Sequence, residues 1–152
     1  MATFTQEPRP LIGAFGRHYD TTRGLSWLVV RLTAGGMLLV HGITKLTTSS
    51  IATFAANSMA RRGIEPAIAA AYMIFFLETV GAVCIILGLF TRFFAAAVAI
   101  EMFVIFCAYW SNGFGWLNRG YEYVLLWGLV AFAIALRGGG PYSLDRKIGV
   151  EL

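Results

Sequence analysis

The chain is 152 residues long, 58% hydrophobic and 13% charged, with a net charge of +4 and a mean hydropathy of +0.70. A soluble domain carries about 25% charge, and a chain this short cannot cover four helices that are apolar nearly all round, so a water-soluble globule is excluded. The basic residues sit at helix ends and tails with no interleaved aromatic stripe, which excludes nucleic acid as the expected partner.

Residues 1–24 hold Pro8, Arg9, Pro10, Arg17, Asp20 and Arg23 around no apolar core, and read as a cytoplasmic N-terminal tail rather than a cleavable signal. Four apolar stretches follow, at residues 25–46, 67–89, 93–110 and 121–136. A hydrocarbon core about 30 Å thick takes about 20 helical residues, so each stretch is a predicted span, the fourth being short at 16 residues. Between the first two, Ser49 or Ser50 is placed to cap a short interfacial helix bearing Ile51, Phe54, Ala55 and Met59, which Gly63 and Pro66 terminate. The tight turn at 88–92 makes the second and third spans antiparallel neighbours. The loop 111–120 is rich in Gly and Trp, and Trp110, Phe114, Trp116 and Tyr121 suit an aromatic belt at the membrane surface. Arg137-Gly138-Gly139-Gly140-Pro141 then ends the last span, leaving 138–152 as a cytoplasmic C-terminal tail. The predicted fold is therefore all-α: an integral membrane four-helix antiparallel bundle over residues 25–137.

Orientation follows from the basic residues of the loops. Arg9, Arg17, Arg23, Arg92, Arg137, Arg146 and Lys147 fall on one side, and Lys45, Arg61, Arg62 and Arg119 on the other. Seven against four places both termini in the cytoplasm. Cys84 and Cys107 lie inside apolar helices without a CxxC context and read as small buried hydrophobes.

Arg31, His41, Lys45, Glu78, Glu101 and Glu122 lie within or at the edges of these stretches. A charge at mid-membrane costs at least about 2.5–3.5 kcal/mol, so such groups are expected to face protein and to be paired. At helical spacing Arg31, His41 and Lys45 share one face of the first helix with Gly35 and Gly42, which permits close approach of a neighbour. By depth, Arg31 is expected to meet Glu78 and Glu101 in a buried polar network, while His41, Lys45 and Glu122 form a second cluster near the outer face. The first cluster reads either as ion pairing that sets helix register or as a proton path or headgroup site. His41 is the one histidine placed within a predicted span, so bis-histidine haem ligation within the chain is excluded, and no Cys/His cluster offers a metal site. Redox chemistry would need a bound quinone or a partner carrying the cofactor.

Several short motifs recur in a recognisable order. They are Arg31 with His41-Gly42-Ile43-Thr44-Lys45-Leu46, then Gly63-Ile64-Glu65-Pro66, then Glu78-Thr79-Val80-Gly81. Leu87-Gly88-Leu89-Phe90-Thr91-Arg92, Gly120-Tyr121-Glu122-Tyr123 and Ser143-Leu144-Asp145-Arg146 complete the set. In this order and spacing, over residues 25–146, the chain resembles the DoxX family of small four-helix membrane proteins. Glu101 departs from the family pattern. The resemblance implies a multi-pass protein of the bacterial inner membrane near quinone or sulfur redox chemistry, as in the quinone-reducing thiosulfate oxidoreductase that named the family. It specifies fold better than function.

Two functional readings stand beside each other. In the first, the chain is a subunit of a quinone-linked redox complex with no metal or haem of its own. Lys45, His41 and Glu122 then hydrogen-bond a quinone headgroup or pass its protons, with Tyr121, Tyr123 and Trp127 as aromatic neighbours. In the second, it is a non-catalytic accessory subunit that docks on a larger membrane complex, or on copies of itself, through its glycine-rich faces. A proton-coupled transporter is disfavoured by the lack of an inverted repeat. Whether the chain turns over a substrate, and which, is left open by the sequence.

Overall fold

The computed structural model describes residues 11–152, without the side chains at positions 17, 20 and 21. Residues 1–10 of the expected tail lie outside the described residues. Every regular element among the described residues is helical. Helix α1 spans Gly16–Thr48, α2 Ile51–Phe54, α3 Ala67–Phe76, α4 Ala82–Leu87, α5 Thr91–Tyr109, α6 Glu122–Arg137 and α7 Leu144–Ile148. A π-turn over Leu77–Gly81 joins α3 to α4, so the two form one continuous rod over Ala67–Leu87.

Among the described residues, three helices are long and apolar enough to cross a membrane: Thr22–Thr48, Ala67–Leu87 and Thr91–Asn112. Only 28–33% of the residues in their apolar windows are buried inside the protein. Val29, Met37, Met73, Phe93, Ile100 and Phe103 are among the large side chains pointing outward. An apolar exterior of this extent matches lipid rather than water. The fourth rod, α6, has 16 residues and rises about 24 Å, short of the about 30 Å of a hydrocarbon core.

The four rods pack as a ring: α1 lies on the α3–α4 rod, that rod on α5, α5 on α6, and α6 again on α1. Small residues set the closeness of the first contact. A Cβ on Gly35 would come within 2.9 Å of the Ala82 carbonyl oxygen, and one on Gly42 within 2.6 Å of the Glu78 carbonyl oxygen. Side chains are thus absent where two backbones touch. The main core consists of Ala34, Leu38, Leu77, Ala82, Ile85, Phe94 and their neighbours from α5 and α6, including Val98, Met102 and Ile134.

Two expectations are amended. Residues 16–24, expected as tail, already belong to α1, because no proline follows Pro10 before the span, Gly16 is only the first helical residue and Gly24 alone in the interior does not stop a helix. The segment after Ser50 is helical as expected, and the Ser50 Oγ accepts from the Thr53 N–H at 3.1 Å. It does more than rest on an interface, however. Ala55 and Met59 are buried with Ala71, and Ile51, Phe54 and Ile74 pack around them, so the segment folds over the start of the second rod.

The C-terminal segment closes one end of the bundle. Asp145 is 3% exposed, and its carboxylate accepts from the Phe90 N–H at 2.6 Å, the Thr91 N–H at 2.9 Å and the Thr91 hydroxyl at 2.6 Å. It thereby caps α5 from a distant part of the chain and holds Phe90 at φ 47°, a region that non-glycine residues avoid. Arg92 donates to the Ala135 carbonyl at 3.1 Å and pairs with Glu151 at 3.0 Å.

Candidate functional site

The polar residues on α1 separate into two places. Arg31 is 1% exposed and donates to the carbonyl oxygens of Gly139 and Tyr142 in the C-terminal segment. The expected Arg31–Glu78–Glu101 network does not form. Helix register explains why: in this antiparallel pair Gly42 meets Glu78, Gly35 meets Ala82 and Ile86, and Arg31 therefore reaches Gly88, beyond the end of α4. Arg31 satisfies the carbonyls of a glycine-rich turn instead of a carboxylate.

Glu78 pairs with Lys45. The two side chains are 5% and 19% exposed, so the pair is largely out of water. Lys45 lies about one turn beyond Gly42, where α1 touches the second rod, and its Nζ also sits 5.2 Å from the centre of the Phe54 ring. Glu78 sits in the π-turn Leu77–Gly81, an irregularity that widens the helix and re-aims side chains. Glu101 projects from the middle of α5, 7% exposed. Neither of its carboxyl oxygens has a hydrogen-bond partner among the described residues, and the charges nearest in effect are Glu78 and Lys45.

These three residues border one cavity of about 870 Å³ between the rods. Its walls are mostly apolar, from Leu38, Ile74, Ile85, Val98 and Ala131 among others, and it opens to the apolar exterior beside Met37, Met73 and Ile100. His41, Arg62, Tyr109, Tyr123 and Trp127 add polar edges, with His41 exposed at the rim. Arg62 is held by its own contacts, donating to the Ser58 carbonyl at 2.7 Å and the Tyr109 hydroxyl at 3.0 Å, with its guanidinium 4.8 Å from the Tyr109 ring centre. An apolar chamber of this volume with a few convergent polar groups has the character of a ligand site.

Of the residues expected to form a quinone or proton site, His41, Lys45, Tyr123 and Trp127 line this cavity. Glu122 and Tyr121 do not. Glu122 begins α6 and turns its carboxylate back onto the preceding loop, accepting from the Trp116 N–H at 3.2 Å. Tyr121 stacks on Trp110, with centroids 5.1 Å apart and planes 10° from parallel, inside the aromatic cluster of that loop. Glu101 moves from the predicted Arg31 network into the cavity. Phe54 and Arg62 are added by the folding of the segment after Ser50 over the second rod, a long-range packing event with no local signature, and Tyr109 by the end of α5. Asp145 was legible only as part of the Ser143-Leu144-Asp145-Arg146 motif.

Fold and site define an all-helical membrane protein with an apolar chamber floored by carboxylates. The chain belongs to the DoxX family, whose profile matches residues 26–110. It is also similar to a protein of Haemophilus influenzae described as an uncharacterized protein, with 30% identity over 122 residues covering 78% of this chain and 87% of that one. No solved structure matches.

Proposed function

We propose that this DoxX-family protein is a multi-pass protein of the bacterial inner membrane, with four spans and both termini in the cytoplasm. In this reading it serves a quinone-linked redox complex by holding the quinone headgroup in the chamber between its helices. The carrying observation is the 870 Å³ chamber, apolar on its walls and polar at Lys45, Glu78 and Glu101. A headgroup of one or two rings and the first part of an isoprenoid tail fit within a pocket of this size. Aromatic edges from Phe54, Tyr109, Tyr123 and Trp127 suit a flat ring, and His41 at the rim suits proton exchange with the surface. The chain contributes binding, orientation and proton positions; electrons come from a partner.

The test is purification in mild detergent followed by solvent extraction and mass spectrometry of the retained lipids. A near-stoichiometric quinone supports the site. No quinone, together with a stable co-purifying membrane protein, supports the accessory role instead.

A further inference from the structure

We infer that the tail of the chamber's ligand passes to the bilayer between α3 and the second half of α5, beside Met73, Ile100 and Val104. This deepens the quinone reading and rests on it: a chamber that holds the headgroup and the first part of a tail must let the remainder out. Of the four seams between the rods, two are shut. Between α1 and the second rod the backbones touch at Gly35 and Gly42. Between α5 and α6 a Cβ on Gly128 would come within 3.2 Å of the Met102 Cβ.

The two seams that remain differ in chemistry. Where α1 faces α6, the exposed rim of the chamber carries Met37, His41 and Tyr123. Hydrocarbon laid there takes water from an imidazole and a phenol, which costs free energy unless each finds a new partner. Where α3 faces α5, the exposed rim carries Met73, Ile100 and Val104, with no N–H or O–H among their side chains. Helix α5 packs on the second rod chiefly at the π-turn and α4, so this seam opens alongside α3. Its outer end is bridged by Arg62, which donates to the Tyr109 hydroxyl at 3.0 Å.

The opening also lies at hydrocarbon depth. The spans Ala67–Leu87 and Thr91–Asn112 have 21 and 22 residues, the length a hydrocarbon core requires. Met73 is six residues from the start of its span, and Val104 and Ile100 are eight and twelve from the end of theirs. At 1.5 Å per residue all three sit about 9–18 Å inside. A chain emerging there meets lipid tails. The ligand is therefore an amphiphile whose tail is long enough to leave the chamber.

The experiment uses the wild-type protein in detergent micelles and a ubiquinone analogue whose decyl tail ends in an alkyl diazirine. After photolysis, adducts are mapped by peptide mass spectrometry with and without competing decylubiquinone. The expected adducts concentrate on Met73, Ile100 and Val104, and fall about tenfold when the competitor is in about tenfold excess. Competed adducts on Met37, His41 or Tyr123, or on the inner walls alone, overturn the inference and leave the quinone site standing. Labelling that the excess reduces nowhere, whether it lies on this seam or over the whole apolar surface, overturns both.

Discussion

Removing Lys45 should destabilise the bundle through the acids it leaves behind. In Lys45→Met the stem keeps its apolar volume while the cation is lost. Glu78 and Glu101 then face one chamber, 4% and 7% exposed, with no cation bound to either. Breaking a buried pair from one side costs about 3–5 kcal/mol. The lower end applies here, because Lys45 retains 19% exposure, so the expected loss is about 3 kcal/mol. Glu78→Gln should cost less, about 2 kcal/mol, since Lys45 keeps the Phe54 ring and can redirect toward Glu101 or the surface. The double variant should lose about 3 kcal/mol rather than the additive sum of about 5. Arg31→Leu supplies the control: fourteen positions along α1 separate it from Lys45, about 21 Å, so it should combine with Glu78→Gln additively. The assay is equilibrium unfolding in mixed micelles, followed by tryptophan fluorescence. Additivity of Lys45→Met with Glu78→Gln to within about 0.5 kcal/mol, or clear coupling of Arg31 to Glu78, would refute the assignment.

Asp145→Ala should remove a cap shared by the Phe90 and Thr91 amides and cost about 3 kcal/mol, with earlier proteolysis of the C-terminal segment under limited trypsin digestion. Gly42→Ala should force α1 off the second rod and destabilise by at least about 1 kcal/mol, whereas Gly36→Ala, whose Cβ meets nothing within 4 Å, should be neutral or slightly stabilising in the same unfolding assay. Cysteines introduced singly at Thr5 and Val150, in a background lacking Cys84 and Cys107, should resist a membrane-impermeant maleimide added outside intact cells and react after permeabilisation; labelling in intact cells would reverse the orientation.

The apolar stretches, the tight 88–92 turn and the glycine break after Arg137 were legible because each is a local property, of hydropathy, loop length or backbone conformation. Helix ends were less so. Counting from residue 25 treated Arg31 as one third of the way into a span, but α1 starts at Gly16 and its 33 residues exceed any hydrocarbon thickness. Depth measured from a helix's own first residue therefore misjudges what lies opposite. The antiparallel register is the better ruler. Eleven positions from Gly42 back to Arg31 correspond to ten from Glu78 on to Gly88, and that places the guanidinium at the closed end of the bundle.

The same register explains why the chamber lies where it does. Backbones touch at Gly35 and Gly42, which draws α1 and the second rod together, while α5 and α6 close against each other on the far side. The space between these two tight pairs is filled by Leu38, Ile85, Val98 and Ile134 at one level and is left open beside Lys45, Glu78 and Glu101. Arg31 and Asp145 satisfy the turns that seal the opposite end. One set of charges thus closes the bundle by binding backbone, completely enough to leave only Arg31 Nε unmet, and the other surrounds a cavity with a carboxyl group still unpaired. A structural ion network has no reason to leave an acid unsatisfied at its centre. The ligand site proposed above gives it one, since the missing partner would arrive with the ligand.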